Sequence, residues 1–141
     1  MVLMSKMLKS FGFVLFGWCF CIFGARAQDA SYEPVLPDGD QDITSGIYYD
    51  TVSQDSTSKT HTGNISVSGE GDLNIFTEQA ADSYDASYTL NGQLTVGSDE
   101  VIESQSNGIV SIINMSTGKF DFTMNGGAVL VQNGGNLYFG N

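Results

Sequence analysis

Few residues in this chain have the means to do covalent chemistry. There is one histidine, His61, and two cysteines, Cys19 and Cys21. His61 stands in the polar run Gln54–Thr62 (QDSTSKTHT), where the acid nearest in sequence is Asp55, and it reads as a solvated loop residue. A structural zinc site needs four Cys or His ligands, and a Cys–His nucleophile needs both partners; both are excluded where the two cysteines leave with a cleaved N-terminal signal. No G-x-S-x-G elbow occurs among the many serines. Paired carboxylates of the kind used in glycoside hydrolysis have two candidate clusters, Asp99-Glu100 with Glu103, and Asp82 with Asp85. Neither has a basic or aromatic neighbour in sequence, and both read as solvated loops between strands. Gly69-Glu70-Gly71-Asp72-Leu73 partly matches a calcium-binding nonapeptide, with the glycine spacing off and no second copy. Tyr48, Tyr49, Tyr84 and Tyr88 have the chemistry of a sugar-stacking surface and equally that of ordinary strand residues. Asn64-Ile65-Ser66 and Asn114-Met115-Ser116 are N-glycosylation sequons, which matter only in a eukaryotic host. The sequence therefore nominates no catalytic, cofactor-binding or metal-ligating residue, implies no cofactor, and points away from an enzyme.

The distribution of charge says more. Of five basic residues, Lys6, Lys9 and Arg26 precede residue 28, while all sixteen acids follow it. Lys6 and Lys9 form a positive n-region, and Phe11–Gly24 is a charge-free apolar stretch of signal-peptide length. That stretch is short for a membrane span, which takes about 20 residues. Ala25-Arg26-Ala27 supplies the small-x-small cleavage pattern, so residues 1–27 are expected to be a signal peptide removed before Gln28. An uncleaved anchor is the alternative; Trp18 and Phe20 are too bulky to precede a lipid-modified Cys19 or Cys21.

Cleavage leaves 114 residues without cysteine, in which two lysines face sixteen acids for a net charge of −14. Such a chain suits an extracellular, soluble surface. It has no disulfides to rely on even where an oxidising compartment permits them. It lacks the Lys and Arg that nucleic acid or anionic lipid require. The expected organisation is a polar, acidic leader with the first strand or strands over 28–62, and a repeat region over 63–141. Both prolines, Pro34 and Pro37, fall in the flexible part of that leader.

From Gly63 the unit Gly-x-Φ-x-Φ, with Φ apolar, recurs seven times: GNISV, GDLNI, GQLTV, GIVSI, GKFDF, GAVLV and GNLYF. The glycines step by 8, 21, 16, 10, 9 and 8 residues. Ala86–Leu90, and Val101 with Ile102, are alternating runs inside the two long gaps. Period-2 alternation punctuated by Gly and Asn predicts short half-buried strands. Four Asn-Gly pairs, at Asn91, Asn107, Asn125 and Asn133, offer positive-φ turn positions. The chain is predicted to be all-β, as a right-handed parallel β-solenoid (β-helix) of about four or five coils at roughly 4.8 Å each. An antiparallel sandwich or meander is the alternative.

A signal peptide, a polar leader and Gly-Asn-rich repeats such as NGGAVLVQNGGNLYFGN (Asn125–Asn141) resemble the N-terminal part of a bacterial autotransporter passenger or β-helical surface adhesin. Gly126–Ala128 is also similar to repeats of chlamydial polymorphic membrane proteins, whose Phe-x-x-Asn element Phe139-Gly140-Asn141 does not match. The resemblance implies a non-enzymatic protein, secreted or held at the cell surface in association with an outer membrane, that acts in adhesion to an unknown host or matrix ligand. A self-assembling, curli-like fibre subunit is the alternative, and a carbohydrate-active β-helix a remote one. Autotransporters continue into a translocator barrel, whereas this sequence stops at Asn141 without barrel or cap. That is the expectation for a truncated product, or for a subunit that completes its strand edges with another copy.

Overall fold

Strand β3, Ile65–Thr77, organises the molecule. It is long because two successive Gly-x-Φ-x-Φ units, GNISV and GDLNI, run into one extended segment of 13 residues. The computed structural model describes residues 34–100 and 106–141; the expected signal peptide, Val101, Ile102 and Glu103 lie outside the described residues. Among these are nine strands: β1 Gln41–Val52, β2 Ser58–Thr62, β3, β4 Ala86–Asn91, β5 Leu94–Val96, β6 Ile109–Ile113, β7 Phe120–Met124, β8 Val129–Val131 and β9 Asn136–Gly140.

β1 pairs with β3 along nearly its whole length. The other edge of β3 is shared: Ile65–Val67 pairs with β5, and Asp72–Phe76 with β6. β8 and β9 extend the sheet beyond β5 and β6. This six-stranded sheet faces a three-stranded one of order β2-β4-β7. Every strand pair is parallel, and a single apolar core lies between the sheets.

Alternation decides which residues enter that core. On β3, β4 and β6 the residues Val67, Leu73, Ile75, Tyr88, Leu90, Val110 and Ile112 are buried, while the Ser, Thr and Asn between them face outward. Parallel pairing then sets like on like, as in Ile65–Leu94–Val129 and Leu73–Val110–Leu137.

The solenoid expectation is corrected by this arrangement. The strand order β8-β5-β3-β6-β9, with β1 on the opposite edge of β3, is that of a sheet rather than of equal coils. The cause lies in the uneven glycine steps. A uniform coil needs a constant period, whereas here two units fuse into β3 and the units after them divide between two stretches of its edge. The antiparallel sandwich or meander falls too, because no strand pair among the described residues is antiparallel. All seven Gly-x-Φ-x-Φ units do lie in or lead into strands, as does Ala86–Leu90.

Two further expectations need correction. Gln54–Thr62 reads as a loop in sequence, yet Ser58–Thr62 is strand β2, pairing with β4 from Ser58↔Ser87 to Thr62↔Asn91. Its alternating residues are polar, so hydropathy carries no strand signal. The stretch 34–37, in the part of the leader expected to be flexible, is strapped to β1: Val35 bridges Tyr49, the Leu36 amide donates to the Tyr49 carbonyl at 2.8 Å, and Leu36 is buried.

Close backbone approach explains several of the glycines. A Cβ on Gly92 would stand 2.1 Å from the Gly63 carbonyl oxygen, and one on Gly127 would stand 1.9 Å from that of Gly92. Any side chain there must push neighbouring backbones apart. Three of the four Asn-Gly glycines, Gly108, Gly126 and Gly134, have the expected positive φ; Gly92 serves the close approach instead. Gly92→Ala is expected to cost about 1–3 kcal/mol of stability by overpacking. Gly140→Ala, with nothing within 4 Å and no positive φ, is expected to leave the melting temperature unchanged. Thermal denaturation of the two variants checks both.

Candidate functional site

Among the described residues, acidic, basic and phenolic groups meet inside the core, at its β1–β2 end. Asp50 of β1 pairs with Ile75 and so points inward, where the next strands carry Ile75 and Ile112. Lys59 of β2 pairs with Tyr88 and points inward from the opposite sheet. The Lys59 ammonium contacts Asp50 Oδ1, which takes no hydrogen bond beyond that contact. The Tyr88 hydroxyl donates to Asp50 Oδ2 at 2.6 Å. Burial, and next the adjacent Asp50 carboxylate, push the Tyr88 phenol far above its ordinary value, so it stays protonated and keeps donating. Tyr88 also stacks on Phe122, with centroids 5.6 Å apart.

A carboxylate, an amine and a phenol in contact would serve general acid–base chemistry if a substrate could reach them. Asp50 is 1% exposed, and each of its oxygens is taken by a neighbour. The cluster is a lock on one end of the core. His61, two residues along β2, supports the same end: it is buried, with Nε2 3.0 Å from the Gly39 carbonyl and Nδ1 3.8 Å from Asp38. The solvated-loop reading of His61 is thereby corrected. Inward positions of β2 hold polar groups because β1 supplies a partner to Lys59 through Asp50, and residues 38–39 supply partners to His61.

The second feature is a shallow recess of about 450 Å³ lined by Ile47, Gly69, Glu70, Gly71, Asp72, Ser106 and Ile109. It lies beside a bulge where the β1–β3 register slips between Ile43 and Ser45, opposite Gly69 at φ +57°. Burial raises the Asp72 carboxyl above its ordinary value of 3.8, while a 3.1 Å hydrogen bond from Asn74 pulls it the other way. Gly69–Leu73, the partial calcium motif, is thus extended strand with Leu73 in the core. Among the described residues no three His, Cys, Asp or Glu side chains converge as a metal site would require.

The other candidates disperse. Asp99 is exposed and accepts from Gln132 at 2.5 Å; Asp85 is exposed and accepts from the Lys119 amide at 2.8 Å; Glu100 and Asp82 are also exposed. Tyr84 and Tyr88 are buried and Tyr48 and Tyr49 half-buried, so the four tyrosines do not form a common surface. Asn114 of the second sequon is held on both sides of its amide, accepting from Thr77 and donating to the Gly118 carbonyl. Asn64 of the first is exposed and accepts from the Gln93 amide. Sequence reasoning missed the Asp50–Lys59–Tyr88 contact. Its one available signal was the alternation of Lys59 and His61 in a strand whose inward residues are polar.

The third feature is an open edge. Among the described residues β7, β8 and β9 are each paired along one side only. Apolar columns that are buried along β3, β5 and β6 end there in exposed side chains: Val129 is 41%, Val131 48% and Phe139 66% exposed. At the opposite edge the strap pairs with β1 at Tyr49, and inward Asp50, Lys59 and His61 stand among the apolar Ile43 and Val52. No helix among the described residues is long and apolar enough to cross a membrane. Comparison of the chain with protein-family models, with curated proteins and with solved structures finds no match.

Two outcomes test these assignments. Lys59→Met strands a buried carboxylate and is expected to cost about 3–5 kcal/mol, whereas the double variant Asp50→Leu/Lys59→Met recovers most of that loss in urea denaturation. Asp72 has a raised folded pKa, so its contribution favours folding below 3.8 and is lost as pH rises through the raised value. Asp72→Asn is therefore expected to stabilise the protein at neutral pH and to lose that advantage in acid, as read from denaturation midpoints at the two conditions.

Proposed function

We propose that the protein is an exported, non-enzymatic component of a cell surface, of the adhesin or autotransporter-passenger kind. The observation that supports this best is the contrast between its two ends. One is closed by the 34–37 strap and by inward Asp50, Lys59 and His61; the other offers two strands, β8 and β9, with exposed apolar side chains. The β7–β8–β9 side thus offers unpaired strand edges that another strand can join. The signal-like residues 1–27 and the charge of −14 carried by residues 28–141 agree with life outside the cytoplasm. Contact with a ligand would fall to the outward faces, where short polar residues such as Ser66, Asn74, Thr95 and Ser111 stand in parallel rows.

The exposed edge also favours the second reading, a self-assembling fibre subunit. An open fibre needs two receptive ends, and the strap occupies one of them. Surface proteolysis of intact producing cells, with N-terminal sequencing of the recovered protein, tests the first reading. Protease-accessible protein beginning at Gln28 is the expected result; a chain retained inside the cell with its N-terminal residues intact would overturn it. Thioflavin-positive fibrils from the purified protein would favour the fibre reading instead.

A further inference from the structure

The edge formed by β7, β8 and β9 shows what it lacks. Ile65–Leu94–Val129, Val67–Val96–Val131 and Ile75–Ile112–Phe139 are inward columns whose first two members are buried and whose last is exposed. Leu130 and Tyr138, on the other face of the same strands, are exposed as well. One further layer of apolar strand residues would bury what these columns leave open.

We propose that this layer is the same edge of a second copy of the chain, giving a closed two-fold dimer. Three observations favour that occupant. Residues 106–141, which build the edge, carry one acid and one base, Asp121 and Lys119, which pair at 2.5 Å. Residues 34–100 hold twelve acids against one lysine. Joining the two neutral ends keeps the two acidic bodies at opposite extremes, so the strong self-repulsion of this chain is least in that arrangement.

The second observation is that the alternative self-contact is obstructed at Tyr49. Head-to-tail stacking would need the outer edge of β1, where the Tyr49 amide and carbonyl are taken by the Pro34 carbonyl and Leu36 amide. Pro34 and Pro37 have no amide hydrogen to offer a further strand. The third is the edge itself: one side of β7, β8 and β9 holds backbone donors and acceptors that another strand can satisfy. A two-fold axis through the seam makes the strands antiparallel across it, the pairing in which directly opposed residues exchange both hydrogen bonds. The dimer does not depend on export, so a monomer would leave the surface reading standing, and cytoplasmic retention would leave the dimer standing.

Sedimentation equilibrium of the purified full chain over a concentration series tests the proposal. The expected result is a monomer–dimer equilibrium with no larger species. The double variant Val131→Lys/Phe139→Lys sets charges on two exposed edge positions and is expected to be monomeric with an unchanged circular dichroism spectrum. Ile47→Lys, exposed on β1 away from the edge, should dimerise like the parent. Amide exchange should slow in β8 and β9, and not in β1, as concentration rises. A parent that stays monomeric, a dimer indifferent to the edge lysines, or an open-ended ladder of oligomers would each overturn the proposal.

Discussion

The backbone ladder along β3 carries the structure. Its 13 residues pair with β1 on one side and with β5 and β6 on the other, and β8 and β9 attach through those two. A strand paired with neighbours on both sides has its backbone polar groups satisfied along those ladders, and its inward side chains meet mainly apolar partners. Ile65, Val67, Leu73 and Ile75 are all essentially inaccessible. The glycines at 63, 92 and 127 let successive backbones approach where a side chain would hold them apart.

Because every pairing is parallel, each inward position repeats the chemistry of its neighbours or breaks with it. Over most of the core it repeats: leucine, isoleucine and valine stand over one another. At the β1–β2 end it breaks, with Asp50, Lys59 and His61 in positions that Ile75, Tyr88 and Leu90 hold one strand further on. Burying charge is costly, and such a set survives only with its partners in place. Asp50 has the Lys59 ammonium and the Tyr88 hydroxyl, and His61 has the Gly39 carbonyl. The result is an end that will not accept another apolar layer. The far end has no such device, and Val129, Val131 and Phe139 remain exposed there.

This polarity links the fold to the proposed role. Acidic residues are concentrated in the strapped part of the chain, and the neutral part builds the open edge. A chain of this charge stays dispersed through repulsion, while the small neutral region confines association to one surface. The recess beside the Gly69 bulge, with Glu70 and Asp72 on its wall, is the other place where outward side chains gather.

The sequence alone determined that the chain is all-β and located seven of the nine strands described. Seven Gly-x-Φ-x-Φ units and the run Ala86–Leu90 mark strands because period-2 alternation is a local property of the chain. Composition likewise limited histidine chemistry to His61 before any geometry was known. The tertiary structure alone decided how the strands join. Two units fused into β3 and others divided along its edge, which no local pattern could reveal, because pairing depends on residues far apart in the chain. It also decided the fate of the polar residues. Lys59 and His61 belong to a strand that hydropathy does not mark, and Asp50 looks like any other acid in an acidic chain. Only contact across the core, between residues on facing sheets, makes them the group that closes one end.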